Sequence, residues 1–519
     1  MKNILVLVSF ILSLSIVAQN TTISSKDEFK TVKQLIKSEK YSEAIPHINN
    51  LLAKHDNGNY NYLMGKCLLN INDKKQDALS YLIKANKRIS KDYDKAYNYT
   101  AAPTEAVFLL AKAYYNNYKF HKALSHTSKY KKLEGAANEN EDVILFEKRC
   151  INALKIYNDP IKIKSEKISA SINTPLNDFS PLLNADENIM VFTSNIEDAN
   201  VNNIYISHKT NNVWSRLEGI SSNINSMGSI TAVALSADGN QLIIKKNDDG
   251  IDNLYMSRFN GEWSVPEKLN ENINTKYNET YASFSDNGDR LYFVSDRKGG
   301  FGGKDIYFSN IMPNGEWAKA QNMGETINSE YNETGVFIHY GGYSIFFSSD
   351  RPTSLGGYDL YFSDLLDENK WSTPLNMGYP LNTVNDNINY FISKDLKRVY
   401  TSFKKKNSKT GTDIYKINLL SSLKRTSVVI KGFIRDTQGN VIKDEIINLR
   451  ERKSNKFIGS YTPNAEGEYT FILSEGLKYF ISLDDDSKII SPKMITIPVS
   501  ASFYEIGKPV FVKTITVIQ

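Results

Sequence analysis

The sequence predicts a multidomain fold: an all-α helical repeat, then a five-bladed β-propeller, then a small β-sandwich. Three observations predict it. Residues 20–157 carry apolar stripes at helical spacing, with small residues where helices would cross. Residues 158–424 repeat with a period of roughly 50 residues, several short strands to each period and no helix-length apolar pattern inside it. Residues 425–519 change to short strands separated by turns at about ten-residue intervals.

The chain begins with the pattern of a secretory signal peptide, assigned to residues 1–19. Lys2 supplies the positive start, Ile4 to Val17 an uncharged apolar core, and Ala18 a small residue at a cleavage site. The apolar run is short of the roughly 20 residues a membrane span needs, and no later segment is long enough to cross. No cysteine follows the core, so a lipidated N-terminus is not expected. The two cysteines, Cys67 and Cys150, fall on predicted helices some eighty residues apart. They are expected as buried free thiols, because an exported fold of this size needs no disulfide.

In the helical region, Leu109, Leu110, Ala113 and Tyr114 form one stripe, and Ala123 falls twelve residues after Ala111. That spacing places small residues at the crossing of two helices, as in a tetratricopeptide hairpin. Tyr41-Ser42-Glu43-Ala44 repeats the second half of the pattern, and Gly65 with Ala78 gives a looser copy. Residues 142–156 read as a capping helix that leads into the propeller. Residues 21–157 carry roughly 23 Lys and Arg against 15 Asp and Glu. A solvated basic face accounts for this, and an acidic protein or a glycan is the alternative; nucleic acid is an unexpected partner for an exported chain. Stacked helical repeats expose a groove suited to a peptide or protein ligand.

The propeller prediction rests on four landmarks in one register. The Asp/Asn-aliphatic-Tyr triplet occurs at Asn203-Ile204-Tyr205, Asn253-Leu254-Tyr255, Asp305-Ile306-Tyr307, Asp359-Leu360-Tyr361 and Asp413-Ile414-Tyr415. An aliphatic-Asn pair occurs at Ile172-Asn173, Ile224-Asn225, Ile273-Asn274, Ile327-Asn328 and Leu381-Asn382. An Asp- or Gly-bearing turn separates two strands in each period. The four tryptophans, Trp214, Trp263, Trp317 and Trp371, each stand ten residues before the next aliphatic-Asn pair. Five triplets give five blades. The last blade lacks its tryptophan strand, and Lys162–Ile168 lies where that strand belongs, so the start of the domain is expected to close the ring and remove two sheet edges.

After the blades, Val428 to Ile434 alternates, Asp436-Thr437-Gln438-Gly439 turns, and Ile446 to Leu449, Gly467 to Phe471 and Lys478 to Ile481 supply further strands. The runs GFIRDTQGNVI, GEYTF and GLKYFISL resemble the carboxypeptidase regulatory-like sandwich, a non-catalytic spacer or adhesion module. The blades resemble the WD-like repeats of TolB-type proteins, whose SDR–GG–DIY pattern matches Ser295 to Tyr307 and Ser349 to Tyr361. The whole order resembles the PorE-like, OmpA-associated envelope proteins of Bacteroidota, without the OmpA-type peptidoglycan-binding domain that normally follows. That resemblance implies an exported scaffold in the periplasm or at the outer membrane, in a type IX secretion-like assembly. Its partners would be envelope or outer-membrane proteins, with peptidoglycan or another glycan as the alternative.

No enzyme, cofactor or metal is expected. There is no Gly-x-Ser-x-Gly elbow, and among six histidines only His121 and His126 are close, at a spacing that points them apart on a helix. Gly299 to Gly303 leads into a strand rather than a helix, so it reads as a wide hairpin and not a phosphate loop. The acidic loop from Asn247 to Asn253 has calcium-like composition but lacks the downstream Glu of an EF-hand. The charged positions singled out are Asp296, Arg297, Asp305, Asp350, Arg351 and Asp359. Either each Arg pairs with a nearby carboxylate such as Asp305 or Asp359 and pins the turn, or these residues line one face and hold a partner. The tryptophans are expected as wedges between blades. A propeller enzyme working in a central funnel is a third, remoter reading.

Overall fold

The computed structural model describes residues 24–135, 140–367, 370–404, 411–420 and, discontinuously, 428–514. The expected signal peptide lies outside the described residues. Two compact units part between Cys150 and Ile151, within the last helix and a few residues before the boundary expected at 157.

The first unit is helical. α1 (Ser25–Lys37), α2 (Tyr41–Lys54), α3 (Gly58–Leu69), α4 (Ala78–Ala85), α5 (Glu105–Asn116) and α6 (Phe120–Glu134) pack each against the next, and α7 (Glu141–Asn158) follows. Side chains cap the entries: Ser24 accepts from the Asp27 N–H at 3.2 Å and Asn57 from the Tyr60 N–H at 2.9 Å. One apolar core runs from Phe29 and Val32 through Leu51, Met64 and Leu82 to Leu110. Gly65 lets α3 and α4 close, because a Cβ there would fall 2.4 Å from Leu82 Cγ. Ala111 and Ala123 are both fully buried. The 86–104 connection, for which the sequence analysis had no element, returns over the helices: Ile89–Ser90 pairs parallel with Ala102–Pro103. Among the described residues no helix is long and apolar enough to cross a membrane.

The second unit is built of sheets. Among its described residues, five antiparallel sheets follow one plan of three strands with one or two short outer strands. Sheet 1 comprises Asp178–Leu183, Ile189–Asp198, Val201–Thr210 and the short strands Val213–Trp214 and Glu218–Gly219; sheet 2 comprises Ile230–Leu235, Gln241–Asp248, Ile251–Arg258 and Glu267–Lys268. Sheet 3 comprises Glu279–Phe284, Arg290–Ser295, Asp305–Asn310 and Gln321–Asn322; sheet 4 comprises Glu333–Ile338, Ser344–Ser349, Asp359–Asp367 and the short strands Lys370–Trp371 and Leu375–Asn376. Sheet 5 comprises Phe391–Ile392, Arg398–Phe403 and Asp413–Leu419, and its outer strand is Ile163–Lys167 from the beginning of the domain, with Lys167 opposite Tyr415 and Ile163 opposite Leu419. The first strands of all five sheets line one cavity, which makes this region a propeller.

The two sequence landmarks, triplet and aliphatic-Asn pair, meet in space. The outer strands are so short that the middle residue of each triplet would be left with an unpaired N–H, although its carbonyl accepts from the backbone, as Ile306 does from the Met323 N–H at 3.1 Å. The Asn of the following repeat completes the pairing: Asn328 Oδ1 accepts from the Ile306 N–H at 2.8 Å while its Nδ2 is a second donor to the Ile306 carbonyl at 2.9 Å. Asn225 clamps Ile204, Asn274 clamps Leu254 and Asn382 clamps Leu360 in the same way. Asn173, from the start of the region, clamps Ile414 in sheet 5. Trp263, Trp317 and Trp371 sit in the apolar clusters shared by their own sheet and the preceding one, and Trp214 packs against the cluster shared by sheets 5 and 1.

After the propeller, two further sheets bury one core. Val428–Asp436 and Glu468–Leu473 pair in one, Ile447–Glu451 and Lys478–Leu483 in the other. Tyr469 and Phe471 from the first meet Leu449 and Ile481 from the second.

Candidate functional site

The six charged residues form two copies of one network. Arg297 donates through Nη2 to Glu279 at 3.1 Å and to the Ile273 carbonyl at 2.6 Å, and through Nε to Ser295 Oγ at 3.0 Å. Its guanidinium lies 5.1 Å from the Phe293 ring centre and 4.9 Å from that of Tyr307. In the next sheet Arg351 repeats every contact, to Glu333 at 2.9 Å, the Ile327 carbonyl at 2.8 Å and Ser349 at 3.0 Å, beside Phe347 and Tyr361. The carboxylate partners are therefore Glu279 and Glu333, both on first strands, and not Asp305 or Asp359 as the sequence suggested. The reason is geometric: each Asp is consumed by its own glycine turn. Asp305 accepts from the N–H groups of Phe301 at 2.6 Å and Gly302 at 3.0 Å, and from Asn322 at 2.8 Å. Asp359 does the same with Leu355, Gly356 and Asn376.

Asp296 and Asp350 turn to the lead-in of their own sheet. Asp296 accepts from the backbone and side-chain N–H groups of Asn278 at 2.7 and 2.8 Å, and Asp350 from those of Asn332 at 2.8 and 3.0 Å. The glycine turns bind neighbouring sheets together. A Cβ on Gly302 would stand 1.7 Å from the Tyr331 carbonyl oxygen, and one on Gly356 2.1 Å from that of Asn385, so only glycine lets these turns reach the strand leading into the next sheet. All six residues thus lie in the joints of the ring.

Glu279 and Glu333 escaped the sequence analysis, although a signal existed. Each stands five residues after the Asn of its pair, and at that offset the other repeats carry Asp178, Ile230 and Asn387. In sheet 1 Asp178 accepts from the Thr174 N–H at 2.5 Å and its hydroxyl at 3.1 Å, but Ile196 stands where the arginine would be. Burial, with Asp413 nearby, holds its carboxyl above the ordinary range. A different ion pair ties this seam: Arg398 in sheet 5 donates to Glu187 in sheet 1 at 2.6 Å, and Tyr400 joins at 2.7 Å. Burial pushes Glu187 up, but these two partners outweigh it and hold it low.

Among the described residues, three concavities stand out. The central cavity has room for about 50 Å³, which is space for a few waters. A groove of about 370 Å³ in the helical unit has a floor that includes Phe29, Ile36, Tyr62, Leu63 and Tyr93. Lys33, Lys37, Lys66 and Lys95 surround it with Glu105 as the one acid. Lys66 pairs with Glu105 at 3.0 Å. Among the described residues, Lys33, Lys37 and Lys95 have no carboxylate partner, and all three are exposed. The 86–104 connection builds one wall, fixed by Tyr93 donating to Asn59 at 2.7 Å and Tyr60 donating to the Tyr97 carbonyl at 2.8 Å. The third is a groove of about 650 Å³ between sheets 3 and 4.

The Asn247 to Asn253 loop is a tight hairpin whose Asp248 is already satisfied. Burial opposes ionisation there, but Tyr255, Lys246 and Lys268 bring its carboxyl down to about 2. His121 is exposed and His126 lies 5.0 Å from the Tyr114 ring. Among the described residues no three His, Cys, Asp or Glu side chains cluster as a metal site. Cys67 and Cys150 are buried and unpaired.

No family model matches the chain, and no curated protein matches it. Solved structures do align. TolB from Acinetobacter baumannii is 15% identical over 47% of this chain and 54% of that one, with a TM-score of 0.33. The β-propeller domain of the Trilobed protease from Pyrococcus furiosus is 11% identical over 57% of this chain and 97% of that one, at 0.27. The catalytic domain of the GH62 α-L-arabinofuranosidase from Coprinopsis cinerea is 8% identical over 50% and 98%, at 0.32. The alignment thus spans about half of the Acinetobacter TolB, and at these scores no activity transfers from any of the three.

Proposed function

We propose that this chain is a non-enzymatic scaffold of the bacterial envelope that holds a protein partner in its helical groove. In this reading the first unit is a tetratricopeptide-like repeat, the five sheets are the blades of a five-bladed propeller, and the last two sheets are a regulatory-like β-sandwich. The resemblance to PorE-like, OmpA-associated proteins supports a place in the periplasm or at the outer membrane, in a type IX secretion-like assembly. The observation that carries the reading is the groove itself: an aromatic floor rimmed by Lys33, Lys37 and Lys95. Such a rim favours an acidic segment, with charge setting the encounter rate and the apolar floor the lifetime.

Capture from envelope extracts on the immobilised full chain, followed by titration with the purified captured protein, tests this. Lys33→Glu, Lys37→Glu and Lys95→Glu together are expected to weaken binding at least about tenfold, and added salt to weaken it further. Binding that ignores both changes would remove the groove from the proposal. The glycan reading has an observation of its own, in the groove between sheets 3 and 4.

A further inference from the structure

The groove between sheets 3 and 4 belongs to neither the ring joints nor the helical site. Its aromatic lining is the part-exposed Phe308 from sheet 3, with Tyr292 and Trp371 beneath it, both buried in the cluster shared by sheets 3 and 4. Three polar side chains converge on the same space: Asp286 on the first hairpin of sheet 3, Arg290 at the start of the next strand, and Gln321 on the outer strand. Asp286 and Gln321 are exposed, and among the described residues neither side chain makes a hydrogen bond. Arg290 is held in place, its guanidinium 4.7 Å from the Phe308 ring centre, its Nε donating to Asn310 at 2.7 Å and its Nη1 to the Tyr292 hydroxyl at 3.4 Å.

We propose that this groove is a saccharide-binding site for a neutral oligosaccharide. The inference is independent of the partner reading for the helical groove. A volume of about 650 Å³ suits a ligand of several rings. A carboxylate, a carboxamide and a guanidinium are planar groups that match pairs of neighbouring hydroxyls, and the part-exposed Phe308 beneath Arg290 adds an apolar contact for the C–H side of a sugar ring. The charge balance selects against other ligands. Arg290 is flanked by Asp286 and Asp289, which would repel a phosphate or a sulfate. An acidic peptide meets the same repulsion. The fixed guanidinium costs the ligand little ordering on binding.

Calorimetric titration of the full chain with xylotriose, maltotriose, cellotriose and chitotriose tests it. At least one is expected to bind with a Kd between micromolar and millimolar. Asp286→Ala and Gln321→Ala are both on the surface and should leave thermal stability unchanged; each is expected to weaken that binding about tenfold, the loss of one hydrogen bond to a placed polar group. The proposal is overturned if none of the four trisaccharides binds at millimolar concentration. It is equally overturned if binding survives both substitutions unchanged, or if a sulfated sugar or an acidic peptide takes the groove in preference.

Discussion

Glu333 is fully buried and its cation, Arg351, nearly so, at 0% and 13% side-chain exposure. Removing the arginine alone leaves a buried carboxylate without its charge partner, so Arg351→Ala is expected to cost about 3–5 kcal/mol in urea unfolding. Pairing it with Glu333→Gln should restore part of that loss, because the carboxamide carries no charge to strand. Two carboxylates at the seam between sheets 5 and 1 respond to pH with opposite signs. Glu187 is held low on folding, so its contribution is present above its unfolded pKa and is lost as pH falls through the lower folded value. Asp178 is held high, so the folded state loses stability as pH rises from the unfolded value toward the folded one. Asp178→Asn is therefore expected to raise the Tm at neutral pH and to leave it unchanged well below about pH 4, measured by calorimetry across that range. The molecule already uses this solution in sheet 5, where Asn387 accepts from the Thr383 N–H at 2.7 Å.

At the scale of elements, the joints between sheets are side-chain imitations of a missing strand. Asn328→Leu keeps the volume but orphans the buried N–H of Ile306, and about 1–3 kcal/mol should be lost for that donor. The closing strand is a larger wager. Replacing Ile163–Lys167 by a glycine–serine stretch of equal length would leave Asp413–Leu419 as an open edge. Lower thermal stability and concentration-dependent association in light scattering are the expected results. An unchanged, monomeric and equally stable variant would show that the pairing contributes nothing to closure.

At the scale of the molecule, Cys67 and Cys150 report on the integrity of the helical unit. Both are fully buried, and burial pushes each thiol up to about 12. Native protein is expected to react with neither thiol under conditions where the denatured chain labels both, read by mass spectrometry. Tyr62 and Leu63 in the floor of the helical groove belong to the same buried core as Cys67.

What the sequence determined by itself is whatever repeats or is local. The triplets, the Asn pairs and the tryptophans share one register because each sheet solves the same local problem, an outer strand too short to satisfy its neighbour. The order of the sheets and the place of the closing strand follow from that register. Which groups meet across the repeats was decided only by the tertiary structure. Arg297 found Glu279 rather than the nearer Asp305, because the glycine turn had already taken the Asp with two backbone donors. The 86–104 wall carries no repeat signal, and the groove between sheets 3 and 4 holds only one repeat landmark, Trp371, because its polar lining comes from segments whose contact depends on how folded surfaces pack.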